Sequence, residues 1–134
     1  MAKLTDIQGI TKGCANKLSR CGIRSPLSLL KKAKKMNDRS SIARKIGVPV
    51  KRFTQWVAAA DFTRIRGIGG RFSNLLQCCG IGNLKQLART KPEALLRKMK
   101  SMNNRRHYVK QLPSQKQVSF WVRRAKTINK IINY

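Results

Sequence analysis

Apolar residues recur at helical spacing along nearly the whole chain, and glycine, proline and small polar residues interrupt them at short intervals. Leu4 to Ile7 reads as a short helical turn ending at Gly9. Thr11 is an N-cap for a helix through Arg20, with Ala15 and Leu18 on its inner face and Gly22 as its stop. Ser25-Pro26 supplies an N-cap and a first-turn proline for a helix through about Lys35, with Leu27, Leu29 and Leu30 offered to the core. Asn37-Asp38 is read as a break, and Ser40 to Ile46 as helix again. Gly47 closes that helix, and Pro49 opens another through Ala60. Phe53, Trp56, Val57 and Ala60 follow the i, i+3, i+4, i+7 rhythm of a buried face. The pair from Ile42 to Trp56 also has the look of a helix-turn-helix, but any two helices on a short turn give that pattern, and packing is the reading adopted.

The second half runs similarly. A helix follows the Gly67-Ile68-Gly69 turn to Cys78 and stops at Gly80, and Asn83 caps the next. Thr90-Lys91-Pro92-Glu93 reads as a capping box for a helix to about Met102, after which residues 103–107 form a polar junction. Ser114 to about Ile132 is expected to be the longest helix, with Val118, Trp121, Val122, Ala125, Ile128 and Ile132 as its inner stripe. No segment alternates with period two for long enough to make a strand, so the fold class expected is all-α.

Laid on itself at an offset of 58, the chain matches Ile7-Gln8-Gly9-Ile10-Thr11 with Ile65-Arg66-Gly67-Ile68-Gly69, Leu18 with Leu76, Cys21-Gly22-Ile23 with Cys79-Gly80-Ile81, and Leu29 with Leu87. A second block matches at an offset of 65, placing Phe53 to Val57 on Val118 to Val122 and Ala60 on Ala125. Self-similarity of this length outranks single motifs as a guide to architecture. It implies two units, 1–61 and 62–134, packed together as one compact helical domain.

Charge changes the picture most. The chain of 134 residues carries 31 Lys+Arg against 4 Asp+Glu, a formal net charge of +27. Residues 1–61 hold 14 basic and 3 acidic side chains, residues 62–134 hold 17 and 1, so the whole body is basic. Self-repulsion at that density points to a polyanion as partner. Cys14, Cys21, Cys78 and Cys79 have neither metal-ligand nor disulfide-framework spacing and read as small apolar residues in a reducing compartment. Neither a metal nor a cofactor is expected. No stretch has the length and apolarity of a signal or a membrane span, which points to an intracellular, genome-associated place: a nucleoid, a nucleus or a DNA-virus particle.

The candidate chemistry gathers at the glycine turns. Gly67, Ile68, Gly69 and Gly70 open a helix beside Arg64, Arg66 and Arg71. Two glycines permit close backbone approach, and a helix start presents unpaired N–H groups and the positive end of its dipole, which suits a phosphate. Gly9, Ile10, Thr11, Lys12, Gly13 and Lys17 form the corresponding set in the first unit. Lys116, Arg123, Lys126 and Lys130 on the last helix form a secondary basic face without acids, read as phosphate-facing.

These residues resemble the helix-hairpin-helix superfamily, whose pattern is an apolar residue, Gly-apolar-Gly, then a helix with a small residue and a Leu one turn apart. Ile65 to Gly69 with Ser73 and Leu76 matches it well; Ile7 to Thr11 with Ala15 and Leu18 matches more loosely, Thr11 standing for the second glycine. From Leu4 to about Ile128 the chain resembles a tandem helix-hairpin-helix domain family of uncharacterised function. The resemblance implies hairpin amides and nearby Lys or Arg holding DNA phosphates without reading sequence, at Gly67, Ile68, Gly69 and Arg71 and more loosely at Gly9, Ile10, Thr11 and Lys12.

An enzyme reading fails on inventory. Asp6, Asp38, Asp61 and Glu93 form no pair suited to metal-assisted phosphodiester chemistry, and His107 is the sole histidine. A Tyr108 nucleophile for DNA strand transfer is conceivable, with Arg105 and Arg106 to hold the phosphate, but a lone Tyr near Arg is commonplace in a basic protein. The expectation is a non-catalytic, sequence-nonspecific double-stranded DNA-binding protein of architectural type, serving packaging, compaction or nucleoid organisation. Three alternatives stay open at this point: an RNA- or ribonucleoprotein-associated basic protein, an accessory subunit bringing an enzyme to DNA, and an oligomer that bridges DNA.

Overall fold

The computed structural model describes residues 3–134, whose regular elements are all helices, with no strand among them. A 3-10 turn, Leu4–Asp6, precedes α1 (Lys12–Arg20), α2 (Pro26–Lys32), α3 (Met36–Ile46) and α4 (Val50–Phe62). Then follow α5 (Gly70–Cys78), α6 (Leu84–Ala88), α7 (Pro92–Arg105) and α8 (Gln115–Thr127). Local chemistry sets many of the starts. The Thr11 hydroxyl accepts from the Cys14 amide at 3.2 Å, and Ser25, Asn83 and Ser114 cap α2, α6 and α8 in the same way at 3.0–3.1 Å.

The apolar faces close into two clusters. One gathers Leu18, Leu29, Leu30, Phe53, Trp56 and Val57; the other gathers Leu75, Leu76, Leu87, Met99, Trp121 and Val122. Helices α4 and α5 join them, because the buried run Ala58-Ala59-Ala60 is small enough for α5 to lie close. The buried Ser73 hydroxyl donates to the carbonyls of Gly69 (2.9 Å) and Ala59 (3.3 Å), and Gln77 donates to the Gln55 carbonyl at 2.9 Å. Phe53, Trp56, Val57 and Ala60 are all buried, as their spacing requires.

Several expectations are corrected. Leu27 is 53% exposed, because the inner face of α2 is Pro26, Leu29, Leu30 and Ala33, a better i, i+3, i+4, i+7 set. Asn37 and Asp38 do not break the chain; they occupy the first turn of α3, where a carboxylate suits the helix dipole. Thr90 is not an N-cap: its hydroxyl donates back to the Gln86 carbonyl at 2.7 Å, and α7 begins at Pro92 without a side-chain cap. The polar junction is largely helix, and the buried Asn103 side chain holds the Tyr108 and Val109 backbone at 2.9–3.2 Å. This makes α7, with 14 residues, longer than α8 with 13.

The largest correction concerns the chain after Thr127. It leaves the helix and runs back to the first cluster, where Ile132 is buried. The Asn133 amide donates to the Lys34 carbonyl at 2.9 Å. Arg39, fully buried, receives the segment: its guanidinium donates to the carbonyls of Ala33 (2.9 Å), Lys34 (3.1 Å) and Asn133 (2.8 Å) and lies 5.6 Å from the centre of the Tyr134 ring. Carbonyl oxygens at the negative end of α2 thus replace a carboxylate partner. Ile132→Ala should therefore cost about 2–5 kcal/mol in urea unfolding; a loss within about 0.5 kcal/mol, the usual range for surface sites, would mean that the segment is not docked.

Candidate nucleic-acid interface

Each glycine corner is built from the same parts. Ile7 and Ile10 point inward at the first corner, Ile65 and Ile68 at the second, and all four are buried. The Ile10 amide donates to the Ile7 carbonyl and the Ile68 amide to the Ile65 carbonyl, both at 3.1 Å, which closes each turn. Gly9 (φ 94°) and Gly67 (φ 96°) hold the left-handed geometry that these bonds need. A tryptophan lies beneath each: a Cβ placed on Gly9 would sit 2.9 Å from Nε1 of Trp56, and one on Gly67 3.1 Å from Nε1 of Trp121. Both indoles are nearly fully buried, so neither can withdraw cheaply.

What remains outward is polar backbone and cation. Gly9, Thr11, Lys12 and Gly13 are exposed at the first corner, as are Arg66, Gly67, Gly69 and Arg71 at the second. The N-cap of α5 is Gly69, which offers no side-chain cap, and the amides of Gly69, Gly70, Arg71 and Phe72 have no acceptor among the described residues. Four successive N–H groups at a partly exposed helix start concentrate positive potential. The first corner has fewer free donors, because the Thr11 hydroxyl already takes the Cys14 amide.

The two corners adjoin. Gly70 lies so close to the Asp6 carbonyl that any Cβ would overlap it. A shallow concavity of about 900 Å³ is lined by Thr5, Asp6 and Gln8 on one side and residues 65–72 on the other. Asp6 is the one acid on this surface, and its carboxylate accepts the Lys3 amide at 2.7 Å.

Some residues expected at the site are employed elsewhere. The amides of Ile10 and Ile68 are spent within their turns and cannot meet a ligand. Arg64 faces away: it pairs with Asp61 at 2.8 Å and donates to the Asn129 carbonyl at 2.6 Å. Gly70 is a packing residue as well as a helix start. Lys17 is exposed on α1. The secondary basic face does not form as one helical face: Lys116, Arg123 and Lys126 are exposed on α8, but Lys130 falls beyond its end. Sequence reasoning missed the Phe72 amide, although the lack of a capping side chain at position 69 leaves the third amide of α5 free.

Elsewhere, Asp61 is buried, and desolvation raises its pKa against the opposing pull of Arg64 and Tyr134. Burial likewise pushes the Cys79 thiol up to about 11. Tyr108 packs on the second apolar cluster, and His107 is exposed. No group of three His, Cys, Asp or Glu side chains among the described residues could hold a metal, and no described helix is long and apolar enough to cross a membrane.

Fold and surface together define a small, all-helical, strongly basic protein with two glycine corners side by side. The chain belongs to a family described as a domain of unknown function, DUF4332, whose model matches residues 8–128. No curated protein and no solved structure matches it.

The corner glycines should respond differently to alanine. Gly67→Ala meets both the positive φ and Trp121 and should lose at least about 1 kcal/mol of stability. Gly69→Ala meets nothing within 4 Å at an ordinary φ of −96° and should stay within about 0.5 kcal/mol of the parent. Thermal unfolding of the two variants checks the contrast; equal losses would contradict the geometry described.

Proposed function

We propose that this protein is a non-catalytic, sequence-tolerant binder of double-stranded DNA that works as an architectural factor, and that its two corners are helix-hairpin-helix phosphate clamps in duplicated units. The observation that carries the reading is the run of four uncommitted amides from Gly69 to Phe72, exposed at Gly69 and Arg71 and half-buried at Gly70 and Phe72, beside the exposed Arg66 and Arg71. A phosphate supplies the acceptors these donors lack, and a helix start favours its charge. The first corner adds the free amides of Lys12 and Gly13 and the exposed Lys12 ammonium.

The charge inventory supports the same class of partner. Among the described residues there is a single ion pair, Arg64–Asp61, so the remaining cations have no carboxylate partner within the fold. Contacts of this kind go to phosphate oxygens and carry no base identity, so affinity without sequence preference follows. Association with a cellular or viral genome is the setting such a protein suits.

Binding to random-sequence duplex should weaken by about 10³–10⁵ between roughly 50 and 200 mM salt if on the order of 6–10 phosphates are neutralised. Arg66→Glu with Arg71→Glu should reduce affinity at least about tenfold and lower the slope of log affinity against log salt by about 2. Arg97→Glu with Lys100→Glu, exposed on α7, removes equal charge away from the corners. Gel-shift titrations of both variants decide the matter: equal effects would mean diffuse attraction, and tighter binding to duplex RNA than to duplex DNA would move the proposal to a ribonucleoprotein role.

A further inference from the structure

A second concavity, of about 600 Å³, lies between α6, the end of α8 and the segment that follows it. None of its lining residues lines the concavities at the glycine corners. Its rim carries Lys85 and Arg89 from α6 and its C-terminal cap, facing Lys126 and Lys130 from the other wall. All four are exposed. Asp61 is the one acid lining the groove, and it is already engaged by Arg64 at 2.8 Å and the Tyr134 hydroxyl at 3.4 Å. The floor is aliphatic: Leu84, Ala88, Ala125, Ile128 and Ile131. Lys130 and Ile131 are not helical, and their backbone N–H and C=O groups have no partner among the described residues.

From these observations we infer that the groove is a docking site for an acidic peptide segment of a partner protein, bound extended, with aliphatic side chains on the floor and carboxylates on the rim. Each feature matches one part of such a segment. The four cations need anions, the aliphatic floor needs apolar side chains, and the free peptide groups of Lys130 and Ile131 suit an added extended backbone. Duplex DNA answers only the rim, because its phosphates offer nothing apolar to the floor. A second copy of this chain is a poor occupant, since its 4 acidic residues are scattered at Asp6, Asp38, Asp61 and Glu93 and form no acidic run. The groove is built by the segment that Arg39 and Ile132 hold in place, so its wall is anchored rather than loose.

The test is a selection of short random peptides displayed on phage against the full chain saturated with duplex DNA, followed by fluorescence polarisation with the enriched consensus peptide. Enrichment of sequences that mix Asp or Glu with Ile, Leu or Val is expected. Lys126→Glu with Lys130→Glu should weaken the consensus peptide at least about tenfold, and Ile131→Asp should do the same. Affinity for random-sequence duplex should change less than about threefold in Ile131→Asp, because that residue is outside the corners. A control peptide of equal charge, its aliphatic residues changed to Ser, should bind at least about tenfold more weakly than the consensus. Three results would overturn the inference. They are no acidic-aliphatic enrichment, equal binding of the serine peptide, and peptide binding indifferent to both groove variants. Circular dichroism of each variant separates a lost site from a lost fold, and Lys85→Glu with Arg89→Glu tests the opposite wall should Ile131→Asp unfold.

Discussion

Two glycine α-carbons resting on two indole edges are the contact that the rest of the structure depends on. At Gly9 and at Gly67 the turn needs a left-handed residue, and the space where a side chain would stand is filled by Trp56 or Trp121. Each tryptophan sits on the last helix of its half and is buried in that half's apolar cluster. The corner is therefore fixed by the core rather than by its own loop. Ile10 and Ile68 complete the arrangement, since each is buried while its amide closes the turn. This leaves the start of the next helix pointing outward in a rigid setting, which preorganised hydrogen-bond donors require.

Charge is the second constraint, and the fold handles it sparingly. Only two cations are drawn into internal structure in a telling way. Arg64 takes Asp61, and Arg39 is buried among carbonyl oxygens with an aromatic ring over its guanidinium. Arg39 and Ile132 make the segment after α8 a strap between the two apolar clusters. The remaining basic side chains project into solvent, where the proposed polyanionic partner would offset their mutual repulsion. The proposed phosphate grip and the proposed peptide groove divide this surplus between two separate surfaces.

Helix content and the core faces were legible because they rest on period and capping chemistry. Thr11, Ser25, Asn83 and Ser114 cap helices, and Phe53, Trp56, Val57 and Ala60 are buried together. The corners were legible as exposed glycine turns. What the residues could not reveal were contacts between distant parts of the chain. Nothing local marks Ile132 as a core residue of the other half, so its stripe position suggested a longer helix. Arg64 reads as a free cation until the Asn129 carbonyl, 65 residues on, comes beside it. Gly70 reads as one more flexible residue until the Asp6 carbonyl fills its missing side chain. Asn37-Asp38 misled for a different reason: polar residues that end helices also begin them, and which holds depends on the neighbours.

The most direct test of the central claim is a two-dimensional amide NMR titration of the protein with a short random-sequence duplex. The account predicts that the Gly69, Gly70, Arg71 and Phe72 resonances move downfield together, with Lys12 and Gly13 following, while the turn-closing amides of Ile10 and Ile68 move far less. Shifts spread evenly over the basic surface, with those four amides unmoved, would contradict it.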